Sequence, residues 1–257
     1  MSQLQKKISR IQRRETASIG FGHVNREQPR AMLLAVFVKD GDAAMQALEA
    51  GADAIIIHTT DATTAAKTIE ALTVDKVIAG AWISRLDDAG AEALHNAGCD
   101  FVISALEATD SSAVDTDKMG QIVVAADGID DTTLRSLGPL GLDGLFVERP
   151  TGAMTLATQL GLVRLSSFAS AQLMVTADAS ASVSDLRVLR DSGAVAVAAP
   201  EGTTADQVKA LVELLKAVPA PRKGNKGGEG RDIALVPSMA SHGHEEEDDD
   251  DDDDGEE

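Results

Sequence analysis

Short apolar runs alternate with polar stretches rich in helix-capping residues along residues 31–218. The runs lack strict alternation of apolar and polar positions, which is typical of strands buried on both faces of a parallel sheet. Eight consecutive strand-and-helix units predict a closed parallel (βα)8 barrel of the α/β class, and a doubly wound open sheet is the structural alternative. The predicted strands are residues 33–38, 54–57, 77–83, 101–104, 122–126, 145–147, 173–176 and 195–199.

Helix boundaries can also be predicted from residue types. Glycine ends a helix without steric cost where the backbone takes a positive φ, and capping side chains begin one where a strand stops. The candidate helix ends are Gly51, Gly98, Gly141 and Gly193. The candidate caps are Asp40 and Asp42, Thr60 and Asp61, Asp87 and Asp88, Asp130 and Asp131, Ser182 and Ser184, and Thr203 and Thr204.

Two stretches depart from the regular repeat. Residues 107–120 are short of apolar positions, so we expect the helix after the fourth strand to be shortened or missing. Residues 164–170 are rich in serine, and we expect them to separate the sixth helix from the seventh strand.

Composition outside the barrel predicts three further segments. Leu4, Ile8 and Ile11 lie on one face of an amphipathic helix over residues 2–14, which we expect to pack across the barrel bottom or against a partner subunit. The predicted organisation is a basic arm at 1–30, the barrel at 31–218, a flexible linker with a short apolar island at 219–244, and a disordered acidic tail at 245–257.

The uneven charge restricts the partners we expect. The net charge is −19, and the barrel residues 31–218 carry −14 of it. An acidic body repels phosphate backbones, and an aromatic content of 2% offers little base-stacking surface, so nucleic acid is not an expected partner. The basic arm and the acidic tail predict a homo-oligomer or a protein partner contacted through them.

Other features indicate a cytoplasmic protein with no membrane association. No apolar stretch approaches the roughly 18 residues of a membrane span, and the first residues lack the apolar core of a signal peptide. Cys99 is the only cysteine, so an internal disulfide is excluded. We interpret Cys99 as a small buried residue and not as a nucleophile.

Reactive groups of parallel barrels lie at the carboxyl ends of the strands. His58 stands at the end of the second predicted strand, and imidazole suits proton transfer near neutral pH. The candidate catalytic residues are His58, Asp127, Glu148 and Lys39. The candidate substrate-binding residues are Arg85, Arg149, Ser104, Thr176 and Thr203.

Several of these residues have a second interpretation. Asp127, Glu148 and Asp178 could converge on a divalent metal, or act as helix caps; a metal is the one cofactor the sequence suggests. Lys39 could form a Schiff base, or be kept protonated in a salt bridge by Asp40 and Asp42, which lie close in sequence. Thr203, after Gly202, could help bind a phosphate at a helix start, although Glu201 would repel it.

Two phrases resemble known barrels. Residues 51–58 (Gly-Ala-Asp-Ala-Ile-Ile-Ile-His) and 97–102 (Ala-Gly-Cys-Asp-Phe-Val) are similar to the helix-end-to-strand phrases of phosphate-binding barrels, such as thiamine phosphate synthase and indole-glycerol-phosphate synthase, and of flavin-dependent nitronate monooxygenases. The resemblance implies the TIM-barrel superfamily. The catalytic lysine, phosphate-loop glycines and flavin contacts of those families find no counterpart here.

Two hypotheses about function follow. The first is a small barrel enzyme of the lyase or isomerase type that acts on a compact anionic metabolite by acid/base chemistry at the carboxyl-terminal rim. The alternative is a barrel without catalysis that serves as a binding or assembly module through its basic arm and acidic tail.

Overall fold

The structure, a computed structural model, describes residues 2–16, 30–72, 77–126, 128–149 and 152–219. Its helices are α1 (Gln3–Thr16), α2 (Gly41–Glu49), α3 (Ala62–Glu70), α4 (Asp88–Asn96), α5 (Asp131–Leu137), α6 (Leu156–Ala169), α7 (Val183–Asp191) and α8 (Ala205–Ala217). Its strands are β1 (Leu33–Val38), β2 (Ala54–His58), β3 (Ala79–Trp82), β4 (Phe101–Ser104), β5 (Gly120–Val124), β6 (Gly144–Val147), β7 (Leu173–Thr176) and β8 (Ala194–Ala199).

The eight strands form one closed parallel barrel in chain order. Val36 of β1 lies opposite Ile55 of β2 on one side and opposite Ala199 of β8 on the other, which closes the sheet. All eight predicted strands are therefore confirmed, and the open-sheet alternative is wrong. Because every strand points the same way, the carboxyl ends gather around a single mouth.

Alternate residues of each strand enter two different apolar layers. In β1, Leu33, Ala35 and Phe37 join the cluster that fills the barrel interior. Leu34 and Val36 belong to the second cluster, which lies between the strands and the surrounding helices. Burial on both faces explains why the sequence of the strands shows no polar alternation.

The predicted helix boundaries are confirmed. The caps that bond a backbone N–H are Asp40, Asp61, Asp87, Asp130, Ser182 and Thr204. The glycines with positive φ at the predicted helix ends are Gly51, Gly98, Gly141 and Gly193.

The two irregular stretches have different outcomes. After β4 the chain forms only a short 3-10 helix at Leu106–Ala108, as expected. The expected break at residues 164–170 is wrong, because α6 continues to Ala169 and ends at Ser170, whose φ is 49°. Leu162 and Ala169 are buried at helical spacing, and this packing outweighs the poor helix preference of the intervening serines.

Helix α1 covers the amino-terminal end of the barrel. Leu4 and Ile8 are 1% and 4% exposed and belong to the same cluster as the barrel interior. The backbone N–H groups of Gln3 and Leu4 donate to the two carboxylate oxygens of Asp100 at 2.6 and 2.8 Å, which caps the helix on the barrel. The apolar face of α1 therefore packs within the chain. Among the described residues no helix is long and apolar enough to cross a membrane.

Cys99 is buried directly before β4, as its interpretation required. Burial raises the pKa of its thiol to about 12, and only the thiolate is nucleophilic.

A thiol reagent should therefore modify Cys99 in the native protein roughly a thousandfold more slowly than in the urea-unfolded chain, in which one equivalent should react quickly. Absorbance of the released chromophore measures both rates. Equal rates would show that the thiol is accessible in the native fold.

Candidate active site

His58 and Glu201 form a hydrogen-bonded pair at the mouth of the barrel. His58 is the last residue of β2, and Glu201 follows the end of β8. The Nδ1 atom of His58 lies 3.1 Å from Oε2 of Glu201. Since β2 and β8 both pair with β1, this contact spans the carboxyl end of β1. The side chains are 49% and 40% exposed, so a ligand at the mouth can reach the pair.

Three aromatic rings pack together in the barrel interior, and two of them contact the ring of His58. The Phe37 ring lies 5.6 to 5.8 Å, between centroids, from the rings of His58, Trp82 and Phe146. Trp82 completes the group at 5.9 Å from His58 and 5.0 Å from Phe146. All five contacts are edge to face, the arrangement that aromatic quadrupoles favour. These rings give the mouth an apolar floor.

Lys39 lies on the β1 side of the mouth. It lines a cavity of about 270 Å³ together with Phe37, Glu201 and Thr203. Asp40, which we expected to form a salt bridge with Lys39, instead caps α2. Its carboxylate accepts a hydrogen bond from the N–H of Ala43 at 2.8 Å. Lys39 is exposed, and it lines the same cavity as Glu201 of the His58–Glu201 pair.

Arg149 lies in a second cavity, of about 250 Å³, that is also lined by Glu148, Thr176 and Asp178. Its backbone N–H donates to the Thr176 hydroxyl at 2.7 Å, which ties the ends of β6 and β7 together. Its Nη1 atom donates to the Gly152 carbonyl at 2.9 Å. Its Nε atom is buried and has no acceptor among the described residues. The structure thus brings Glu148, Arg149, Thr176 and Asp178 together around one cavity, and their roles toward a ligand stay predictions.

The predicted metal ligands have no metal-like arrangement in the described part of the chain. The Asp178 carboxylate accepts hydrogen bonds from the Ser180 N–H and hydroxyl at 2.8 and 2.5 Å, and these bonds lower the pKa of Asp178. Within the described residues no three His, Cys, Asp or Glu side chains could hold an ion together. Asp127 lies outside the described residues. A site formed by Asp127, Glu148 and Asp178 therefore stays a prediction, as does a catalytic role for Asp127.

The other predicted substrate-binding residues contact their own chain. Ser104 is 1% exposed and accepts a hydrogen bond from the Thr109 hydroxyl at 2.8 Å. The Thr203 hydroxyl donates to the Pro200 carbonyl at 2.6 Å. Arg85 lies 3.6 Å from the Asp110 carboxylate and is largely exposed. Their roles toward a substrate stay predictions.

Two features of the site were missed from the sequence. Glu201 was not assigned a role with His58, although closure of β8 onto β1 places the ends of β8 and β2 on either side of β1. The aromatic floor was missed because its three rings come from strands far apart in sequence. The sequence pattern that could have revealed the floor is the period of two in a strand, which points every second residue of each strand into the barrel.

The comparisons with known proteins identify the fold. No model of a known protein family matches the chain, and no curated protein matches it. Thiamine phosphate pyrophosphorylase from Pyrococcus furiosus matches over 74% of this chain and 98% of its own, with 16% identity and a TM-score of 0.55. Phosphoribosyl anthranilate isomerase from Thermus thermophilus matches over 73% and 100%, with 13% identity and a TM-score of 0.53. A mutant tryptophan synthase alpha-subunit from Pyrococcus furiosus matches over 74% and 97%, with 12% identity and a TM-score of 0.53. These likenesses show that the chain has the TIM-barrel fold.

Proposed function

We propose that this protein is a barrel enzyme of the lyase or isomerase type, which moves a proton on a small organic anion at the carboxyl end of the barrel. The observation that carries the proposal is the contact of 3.1 Å between His58 and Glu201 at an open mouth. The structural neighbours named above are enzymes by name, which agrees with catalysis in a broad sense.

The contact suggests that His58 transfers the proton and that Glu201 orients the His58 ring. An ionised carboxylate can only accept a hydrogen bond, so a neutral His58 facing Glu201 carries its proton on Nδ1. Its Nε2 atom is then the nitrogen that accepts a proton from the substrate. Glu201 holds the ring in this tautomer and stabilises the imidazolium that forms, and the same imidazolium returns the proton to another atom of the substrate.

Two positive side chains at the carboxyl end of the barrel suit an anionic substrate. Lys39 follows Val38, the last residue of β1, and Val38 pairs with Ile57, the residue before His58. Arg149 offers a guanidinium in the cavity beyond β8. Either cation can bind a carboxylate or phosphate group while His58 reaches the carbon that exchanges its proton.

A metabolite extract tests the proposal without a known substrate. We expect the wild-type protein to change the amounts of one or a few compounds, followed by mass spectrometry, and His58→Gln to lose that change. The matched control is His95→Gln, because His95 is an exposed histidine near the end of α4, away from the mouth. Loss of a proton-transfer group lowers turnover by about 10²- to 10⁴-fold.

Two outcomes count against the proposal. A turnover that His58→Gln retains would remove His58 from the mechanism. No turnover, together with self-association that weakens as salt rises from about 0.05 to 0.5 M, would favour the assembly module. Sedimentation of the whole chain at both salt concentrations measures that association.

A further inference from the structure

The barrel interior restricts what can lie in the mouth. Apolar side chains pack together in the carboxyl half of the interior; they include Phe37, Trp82, Ile103, Val124, Phe146 and Ala198. A ligand that enters from the mouth therefore meets carbon atoms on its inner side. A sugar or other molecule with hydroxyl groups on every face would leave those groups without hydrogen bonds.

Three polar groups stand together at one side of this floor. His58, Lys39 and Glu201 come from the ends of β2, β1 and β8, which are neighbours in the barrel. A ligand that satisfies both surfaces has an apolar flat face and a charged edge.

Aromatic residues are scarce in this chain, which makes their position informative. The sequence holds five phenylalanines, one tryptophan and no tyrosine. Three of these six rings are Phe37, Trp82 and Phe146. Phe37 and Trp82 contact the His58 ring, and Phe146 packs against both of them. Phe37 and Phe146 are buried, whereas Trp82 keeps part of its surface exposed. The Trp82 ring is therefore the part of the floor that a ligand can contact.

We infer that the mouth binds a planar, apolar-faced organic anion, of the aromatic carboxylate class, with its ring against Trp82 and its carboxylate toward Lys39. This inference rests on the proposed function for the identity of the site and adds the class of substrate. A flat ring gains edge-to-face contact with Trp82 beyond the area it buries. The Lys39 ammonium gives the carboxylate a partner beside the His58–Glu201 pair.

The lone tryptophan supplies a direct binding assay. Because the chain has one tryptophan and no tyrosine, its intrinsic emission comes from Trp82. We expect benzoate to change that emission and to bind roughly three- to tenfold more tightly than cyclohexanecarboxylate, which carries the same charge on a puckered ring. Benzyl alcohol, which keeps the ring without the charge, should bind more weakly than benzoate.

Two variants test separately the contact with the ring of the ligand and the contact with its carboxylate. Binding is measured by titration calorimetry. Trp82→Leu should abolish the preference for benzoate over cyclohexanecarboxylate. Phe168→Leu is the matched control, because Phe168 packs under Arg135 in the helical layer, 4.6 Å from ring to guanidinium, and should leave the preference unchanged. Lys39→Gln should weaken both carboxylates and leave benzyl alcohol unaffected. Its exposed position keeps the test valid if Trp82→Leu fails to fold.

Equal affinities for the flat and the puckered acid would overturn the inference, and so would a preference that survives in Trp82→Leu. The result is separate from that of the proposed function. A benzoate preference with no turnover that depends on His58 would keep this inference and reject the enzyme. Turnover of a puckered substrate without a benzoate preference would do the reverse.

Discussion

Replacing Gly80 with valine should prevent the barrel from folding. Gly80 lies in β3 opposite Phe101 of β4, and a Cβ atom at Gly80 would collide with the Phe101 ring. Phe101 is fully buried in the interior cluster, so the ring has no space into which it can move. Overpacking of this kind costs about 1 to 3 kcal/mol for a methyl group, and valine adds two further carbons. A natural domain is stable by about 5 to 15 kcal/mol, so little folded protein should remain.

Gly80→Ala makes the effect measurable. Urea unfolding followed by circular dichroism should show a loss of about 1 to 3 kcal/mol in the free energy of unfolding. Combining Gly80→Ala with Phe101→Leu should cost less than the sum of the two single changes, because the smaller side chain relieves the collision. Gly161→Ala is the control, since Gly161 lies within α6 with open space around it, and alanine there should stabilise the helix. Additive effects of the first two changes would show that the collision is absent.

The architecture could be predicted because its signals are local. Each strand is a short apolar run between polar turns, and each cap is a side chain that bonds a backbone N–H two or three residues away. Asp40 and Ser182 are examples, and both lie where the sequence placed them. The break expected at residues 164–170 was wrong for a related reason. The preference of serine is weak, and the burial of Leu162 and Ala169 by distant parts of the chain decides the conformation.

The site was predicted only in part because its contacts are not local. His58 and Glu201 are separated by 143 residues, and Phe37 and Phe146 come from opposite halves of the repeat. Closure brings them together, but the sequence does not show which rim side chains will touch. Thr176 illustrates the limit, since its hydroxyl ties the end of β7 to the backbone of Arg149. A polar side chain at the rim can either bind a ligand or join two strands, and the residue type is the same in both cases. The sequence therefore does not distinguish the two roles.

Replacing Asp53 with alanine should lower the free energy of unfolding, because Asp53 joins helix α1 to the amino-terminal end of the barrel. The Asp53 side chain is 6% exposed and holds Lys7 of α1 and Arg30 before β1 at 2.8 and 2.7 Å. Its other oxygen accepts a hydrogen bond from the N–H of Leu34 at 2.9 Å. Removing the carboxylate leaves the Arg30 charge half-buried and unpaired and the Leu34 N–H without this acceptor. Breaking a fully buried ion pair from one side costs about 3 to 5 kcal/mol. Because Lys7 and Arg30 are partly exposed, Asp53→Ala should cost less than that.

Graded variants separate the charge from the hydrogen bond, with the free energy of unfolding measured in urea. Asp53→Asn keeps an acceptor for the Leu34 N–H and should cost less than Asp53→Ala. Arg30→Ala should cost more than Lys7→Ala, because the Lys7 side chain is 39% exposed and water screens its pairing, whereas that of Arg30 is 22% exposed. Lys216→Ala, which breaks the exposed pair with Glu213, should leave the stability unchanged. An Asp53→Ala protein as stable as Lys216→Ala would mean that closure of the barrel bottom does not depend on this buried carboxylate.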